Sequence, residues 1–348
     1  MELLDSIWEK WLFLPYLFGI MIVGGLVKNY GVLNEVFVAL RNTFKSNRLV
    51  VAATALAGGV LPIEGRVIMS APLLDSIASD KAQSRSKFGI VDYLSTHHYY
   101  WWSPLEKTVA LPMAALGLSY TQFMGYTLVP LLITLAFAAT FIFAYVKETD
   151  VEIVEASRKI SWNRLLKGWG PIIATMVFLL SGATEANPYL YSLWFPALAA
   201  YYSFICNDWN WKRYINWQFL GLAVVVLTLS AVMSEIKEPV MTYLESISTI
   251  KVPGALYIAS VIGFLASFAM GSSGKYAGIV ALLAKGFGLP YLTWFLCVEY
   301  AGYIISPMHK CLLIGQQYFG TPLRKYYSIL IWLIAALIGW GAITLVAA

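Results

Sequence analysis

The chain has 348 residues, 59% of them hydrophobic and only 12% charged, and its mean hydropathy is +0.68. Apolar runs of spanning length make it an all-α polytopic membrane protein, with nothing to suggest a separate soluble domain. The formal charge of +5 resides in loop lysines and arginines, which suits a cytoplasmic face and anionic lipid rather than a nucleic-acid surface.

The opening Met1-Glu2-Leu3-Leu4-Asp5 is acidic where a secretory signal needs positive charge, so the first apolar run, 8–28, stays as a helix. Val32, Leu33, Val36, Phe37, Leu40 and Phe44 then share one helical face, as expected of a helix lying along the membrane surface. Segment 48–79 is apolar but broken at Gly58-Gly59-Val60-Leu61-Pro62-Ile63-Glu64-Gly65. Each half is too short for a hydrocarbon core of about 30 Å, so it reads as a re-entrant hairpin. Segment 88–118 is interrupted at Ser103-Pro104, because proline removes an N–H and disfavours helix in the residue before it. A span over 123–146 closes a first unit, 1–147, and a linker, 148–213, carries spans 168–184 and 188–206. The second unit, 214–348, follows the same order. It has a span at 215–234, an amphipathic stretch with Val240, Met241, Leu244 and Ile247, and a hairpin at 252–287 broken at Gly271-Ser272-Ser273-Gly274. A helix at 289–318 broken at Ser306-Pro307 and a final span at 324–347 complete it.

Local matches support duplication. Trp11-Leu12-Phe13-Leu14 recurs as Trp217-Gln218-Phe219-Leu220, Gly65-Arg66 as Gly274-Lys275, and Ser103-Pro104-Leu105-Glu106-Lys107-Thr108 as Ser306-Pro307-Met308-His309-Lys310-Cys311. The offsets are 206, 209 and 203 residues. Loop charge orients the units: Lys28, Arg41, Lys45, Arg48, Lys81, Arg85, Lys147, Lys212 and Arg324 fall inside when both termini are extracytoplasmic. On that count the two repeats are inverted, and one hairpin enters from each side of a prokaryotic cell membrane.

Four breaks at membrane depth are costly unless they line a shared polar chamber. Half-helix N-termini there can hold an anion, and unwound carbonyls a cation, without any metal motif. Arg66 and Lys275 stand just after the two hairpin breaks, where a charge costs at least about 2.5–3.5 kcal/mol at the bilayer centre and therefore points to binding. The structural alternative pairs Arg66 with Glu64 and lets Lys275 snorkel. Ser272, Ser273, Ser70, Ser103 and Ser306 offer hydroxyls to a solute, although serine also serves as helix-packing glue. Glu106, Lys107, His309 and Lys310 follow the Ser-Pro breaks in one register, as ion pairs or as ligand contacts. His309 is the proton-coupling candidate, and Glu299 the second, either carrying the proton or pairing with Lys310. His97 and His98 precede Tyr99-Tyr100-Trp101-Trp102, a run that reads first as an aromatic interfacial belt and second as a gate. Asp75 and Asp92 read as near the membrane edge. Cys206, Cys297 and Cys311 are too scattered for a zinc site or disulfides and read as small buried hydrophobes.

Ser306-Pro307-Met308-His309-Lys310-Cys311-Leu312 with Tyr318-Phe319, Ser70-Ala71-Pro72, and Asp92-Tyr93 with His97 together resemble a prokaryotic membrane family. It is the domain-of-unknown-function family number four hundred and one, and the resemblance covers most of the chain. That family resembles in turn the ion transporter superfamily of dicarboxylate and citrate carriers. The resemblance implies inverted repeats, two re-entrant hairpins, two broken helices, a homodimer and elevator-type movement. The carriers' Ser-Asn-Thr hairpin signature is absent, with Gly-Ser-Ser-Gly-Lys at one tip and Ile-Glu-Gly-Arg at the other. The expected function is a secondary transporter of a small anionic solute coupled to a proton or sodium, not an enzyme and without a cofactor. The rivals are an intramembrane enzyme using Glu106, His309 or Glu299 as acid or base, a channel with a fixed pore, and a structural subunit. Against the enzyme stand the lack of HExxH, of a nucleotide motif and of a nucleophile–base pair at recognisable spacing.

Overall fold

A computed structural model describes residues 2–61, 66–78, 84–148, 161–183, 187, 189–247, 252–271 and 273–347. The described residues are helical, with no strand among them. The first helices are α1 (Glu2–Trp11), α2 (Leu14–Tyr30) and α3 (Val32–Thr43). Most of α2 is buried, as befits a helix apolar on every side. It ends at Gly31, whose φ of +72° makes the left-handed turn that starts α3.

Next come α4 (Asn47–Val60) and α5 (Arg66–Ala78), separated where the first hairpin break was expected. The first interrupted helix is α6 (Arg85–Thr96), a 3-10 turn (His97–Trp101), an extended link, and α7 (Lys107–Leu116). A capping box opens α8 (Tyr120–Tyr145): the Gln122 amide donates to Ser119 Oγ at 3.2 Å, and the Ser119 amide to Gln122 Oε1 at 2.9 Å. The linker helices are α9 (Trp162–Leu180) and α10 (Leu190–Cys206).

The second half has α11 (Trp217–Ile247), α12 (Val252–Met270), α13 (Ser273–Phe287), α14 (Leu292–Ile305), α15 (Lys310–Phe319) and α16 (Leu323–Ala347). One expectation needs correction. The span at 215–234 and the amphipathic stretch after it form a single 31-residue helix, because this half has no left-handed glycine in the place of Gly31. Among the described residues, three stretches are long and apolar enough to cross a membrane: Leu3–Tyr30, Tyr120–Tyr145 and Leu323–Val346. Shorter apolar helical stretches among the described residues include Leu190–Cys206, Trp217–Met233 and Gly254–Met270.

The helices of the two halves interlock. Both α4 and α5 pack on α6, and both α12 and α13 pack on α14. The second member of each pair also crosses to the other half, α5 against α15 and α13 against α7. An aromatic seam joins the segments before the two Ser-Pro breaks. Tyr100 and Trp101 meet Tyr300 with ring centroids 4.9 and 4.8 Å apart, and the Tyr99 and Tyr303 hydroxyls are hydrogen-bonded at 2.6 Å.

Candidate functional site

Each Ser-Pro break is docked by its serine. The Ser103 hydroxyl donates to the Val60 carbonyl at 2.9 Å, at the end of α4. The Ser306 hydroxyl donates to the Phe268 carbonyl at 2.5 Å, near the end of α12. Both serines are fully buried. Around the first break the Tyr120 hydroxyl donates to the Trp102 carbonyl at 2.7 Å and the Tyr16 hydroxyl to the Pro104 carbonyl at 2.8 Å. These carbonyls, expected as cation ligands, thus accept hydrogen bonds from the protein itself.

Between the breaks lies a buried imidazole pair. His97 Nε2 and His309 Nε2 are 3.2 Å apart, and both side chains are almost wholly inaccessible. His97 Nδ1 lies 2.6 Å from the Tyr93 carbonyl, which can only accept, so this nitrogen carries a proton. Tyr93 Oη lies 2.6 Å from the Ile304 carbonyl and 2.9 Å from His309 Nδ1. The tyrosine has one hydrogen, which the carbonyl takes, so His309 Nδ1 donates to Tyr93 Oη. It is also 3.2 Å from the Tyr303 carbonyl, again an acceptor only. In its neutral form each imidazole therefore turns a lone pair on Nε2 toward the other. Cys311, on the first turn of α15, completes a group with His97 and His309 whose ligand atoms all lie within 4.8 Å of one another. Cys311 is buried as expected of a small hydrophobe, and its sulfur also falls in this group. Sequence spacing hides the group, because 212 residues separate the two histidines.

His97 and His98 are buried, correcting the interfacial-belt reading. His98 accepts from Trp102 Nε1 at 2.7 Å and, through Nε2–H, donates to the Ala55 carbonyl at 3.2 Å. Asp92, expected near the membrane edge, is also fully buried, with Ser70 Oγ donating to its Oδ1 at 2.6 Å. Glu299 is buried beside a small cavity lined by Gly263, Ile279, Val280, Leu283, Phe295 and Val298. Neither of its carboxylate oxygens has a hydrogen-bond partner among the described residues. It does not pair with Lys310, which is exposed on α15. Lys107 sits with Nζ 5.0 Å from the Phe219 ring centroid, and Glu106 precedes it as the N-cap of α7. Glu64 and Ser272 lie outside the described residues. Arg66, Ser273 and Lys275 fall at the starts of α5 and α13, but their side chains lie outside the described ones.

The profile of a family described as "Protein of unknown function (DUF401)" matches residues 3–346. The chain belongs to the DUF401 family. It is a DUF401 membrane protein over nearly its whole length, as the residues around Ser306 and His97 led one to expect. A search of curated proteins gave no match for this DUF401 chain.

Proposed function

We propose that this DUF401 protein is a secondary active transporter of a small anionic solute, working by alternating access with a proton or sodium as coupling ion. The observation that carries the reading is the matched docking of Ser103 on Val60 and Ser306 on Phe268. Two interrupted helices held alike, each by the helix pair of its own half, fit a duplicated unit. The crossing of α5 to α15 and of α13 to α7 fits inverted repeats that close around one chamber. In this reading α4 with α5 and α12 with α13 are re-entrant hairpins, one from each side, and both termini are extracytoplasmic.

Four short helices, α5, α7, α13 and α15, begin just after the breaks. Their N-terminal N–H groups favour an anion, and Arg66 and Lys275 on the first turns of α5 and α13 add positive charge. Glu299 is the coupling residue in this proposal. A carboxylate with no hydrogen-bond partner among the described residues can exchange a proton or a small cation as the cycle turns. Elevator movement of a homodimer accounts for hairpins that seal the chamber alternately.

The test starts with thermal-shift screening of carboxylates, phosphate, sulfate and nucleosides on the purified protein. Any ligand found is then used for uptake into proteoliposomes under imposed proton or sodium gradients. A ligand at a hundred times Kd stabilises by about 2.7 kcal/mol. Saturable, gradient-driven uptake is expected. Flux that does not saturate would make the protein a channel, and no stabilisation by any anion would end the anion assignment.

A further inference from the structure

We infer that His97, His309 and Cys311 form a binding site for a transition-metal cation of the zinc class. The site lies where the two halves meet, and the inference stands apart from the transport reading.

The donor set decides the class of ion. Two imidazoles and a thiolate suit borderline or soft cations and are poor ligands for sodium, magnesium or calcium, which take oxygen. Spacing agrees. Two Zn–N bonds of about 2.0 Å at the tetrahedral angle hold their nitrogens about 3.3 Å apart. The two Nε2 atoms are 3.2 Å apart. Cys311 Sγ lies within 4.8 Å of a ring nitrogen of each histidine, and a movement of the first turn of α15 toward the pair would bring it to the Zn–S distance of about 2.3 Å.

The outer contacts are those a metal ligand needs. A ligating histidine donates its other ring N–H to a carbonyl or hydroxyl, which fixes both tautomer and ring orientation. His97 does so to the Tyr93 carbonyl, and His309 to Tyr93 Oη and the Tyr303 carbonyl. Each ring is thereby held with its Nε2 beside that of the other. Two lone pairs facing at 3.2 Å repel unless a positive centre lies between them. Three protein ligands leave a fourth tetrahedral position for water or an anion, the arrangement of an open zinc site. The ion would tie α6 and its 3-10 turn to α15, and so hold the first half against the second.

The test uses the full-length protein in detergent, purified on a peptide tag that binds no metal. It is loaded with Zn(II) or Co(II), freed of excess ion, and measured for metal per chain. About one equivalent is expected, and the Co(II) form should show a thiolate-to-metal charge-transfer band. Cys311→Ser should abolish the band. Cys311→Ser, His97→Gln and His309→Gln should each weaken binding, by chelator competition, beyond the roughly 10–100-fold that loss of an outer contact costs. Cys206→Ser should bind as the parent does. Should a variant fail to fold, the cobalt spectrum of the parent protein decides, because a band-free spectrum excludes Cys311 as a ligand. A parent protein that holds no stoichiometric metal, or variants that keep the parent affinity, would overturn the site and leave a proton shared between the two imidazoles.

Discussion

Gly271 lies directly against His309: a methyl group on Gly271 would sit 2.6 Å from the His309 amide nitrogen. The same methyl would lie 2.6 Å from the Met308 carbonyl carbon and 2.8 Å from Ser306 Oγ, and φ at Gly271 is +56°. The end of α12 thus docks on the second break through a position open only to glycine. Gly271→Ala meets left-handed strain of about 1–2 kcal/mol and a backbone clash together. We expect a loss of about 2 kcal/mol or more, read as a lower melting temperature. Gly125→Ala and Gly221→Ala have no atom within 4 Å of the added methyl and lie inside helices. They should be neutral or stabilising by up to about 1 kcal/mol. A Gly271→Ala protein as stable as those controls would mean that the second break and the end of α12 are not in contact.

The 2.6 Å bond from Ser70 to Asp92 predicts an order of effects. Ser70→Ala removes a donor from a buried carboxylate and should cost about 1–3 kcal/mol. Asp92→Asn retains an acceptor for the Ser70 hydroxyl and should cost less. The reverse order, by thermal melting in one detergent, would remove the bond from the account.

Glu148, after α8, holds the start of α4. It accepts from Ser46 Oγ at 2.6 Å and from the Asn47 amide at 2.8 Å, with the Arg48 amide at 3.4 Å. Burial opposes its charge, but these bonds and the Arg48 guanidinium outweigh it and pull the carboxyl below its ordinary value of 4.5. A depressed carboxyl stabilises fully above the unfolded value, and the gain is lost as pH falls through the folded one. Glu148→Gln should therefore be less stable near pH 7 and equal to the parent in acid. The side chain is 41% exposed, and solvent screening limits the difference to under about 1 kcal/mol. A difference that grows on acidification would contradict this.

Glu299→Gln tests coupling. The amide has nearly the size of the carboxylate, and no described residue bonds to the carboxylate oxygens, so stability should change by less than about 1 kcal/mol. Gradient-driven uptake should disappear while exchange of solute across the membrane persists. Uptake that follows the gradient as in the parent would release Glu299 from the coupling role.

Orientation is open to labelling. In a background lacking Cys206, a cysteine at Ser246 should react with an impermeant reagent from outside, and one at Ser84 only after permeabilisation. The opposite pattern inverts the topology, and labelling of both from outside removes the hairpins.

The sequence by itself determined the helical membrane class and the helix interruptions at Ser103-Pro104 and Ser306-Pro307. These are local properties: proline and glycine interrupt a helix wherever they stand, and apolar runs of sufficient length do not belong in water. Membership of DUF401 was legible for the same reason, through short motifs around Ser70, Asp92 and Ser306. The single helix 217–247 was not, because composition separates an apolar stretch from an amphipathic one even where the backbone runs on. Tertiary structure alone decided which polar groups meet. It buried His97 and His98 in the protein, left Lys310 exposed, buried Asp92 beside Ser70, and set His97 beside His309, across 212 residues of chain, and beside Cys311. Which side chains converge depends on how helices cross, and helices cross according to packing between residues far apart in the chain.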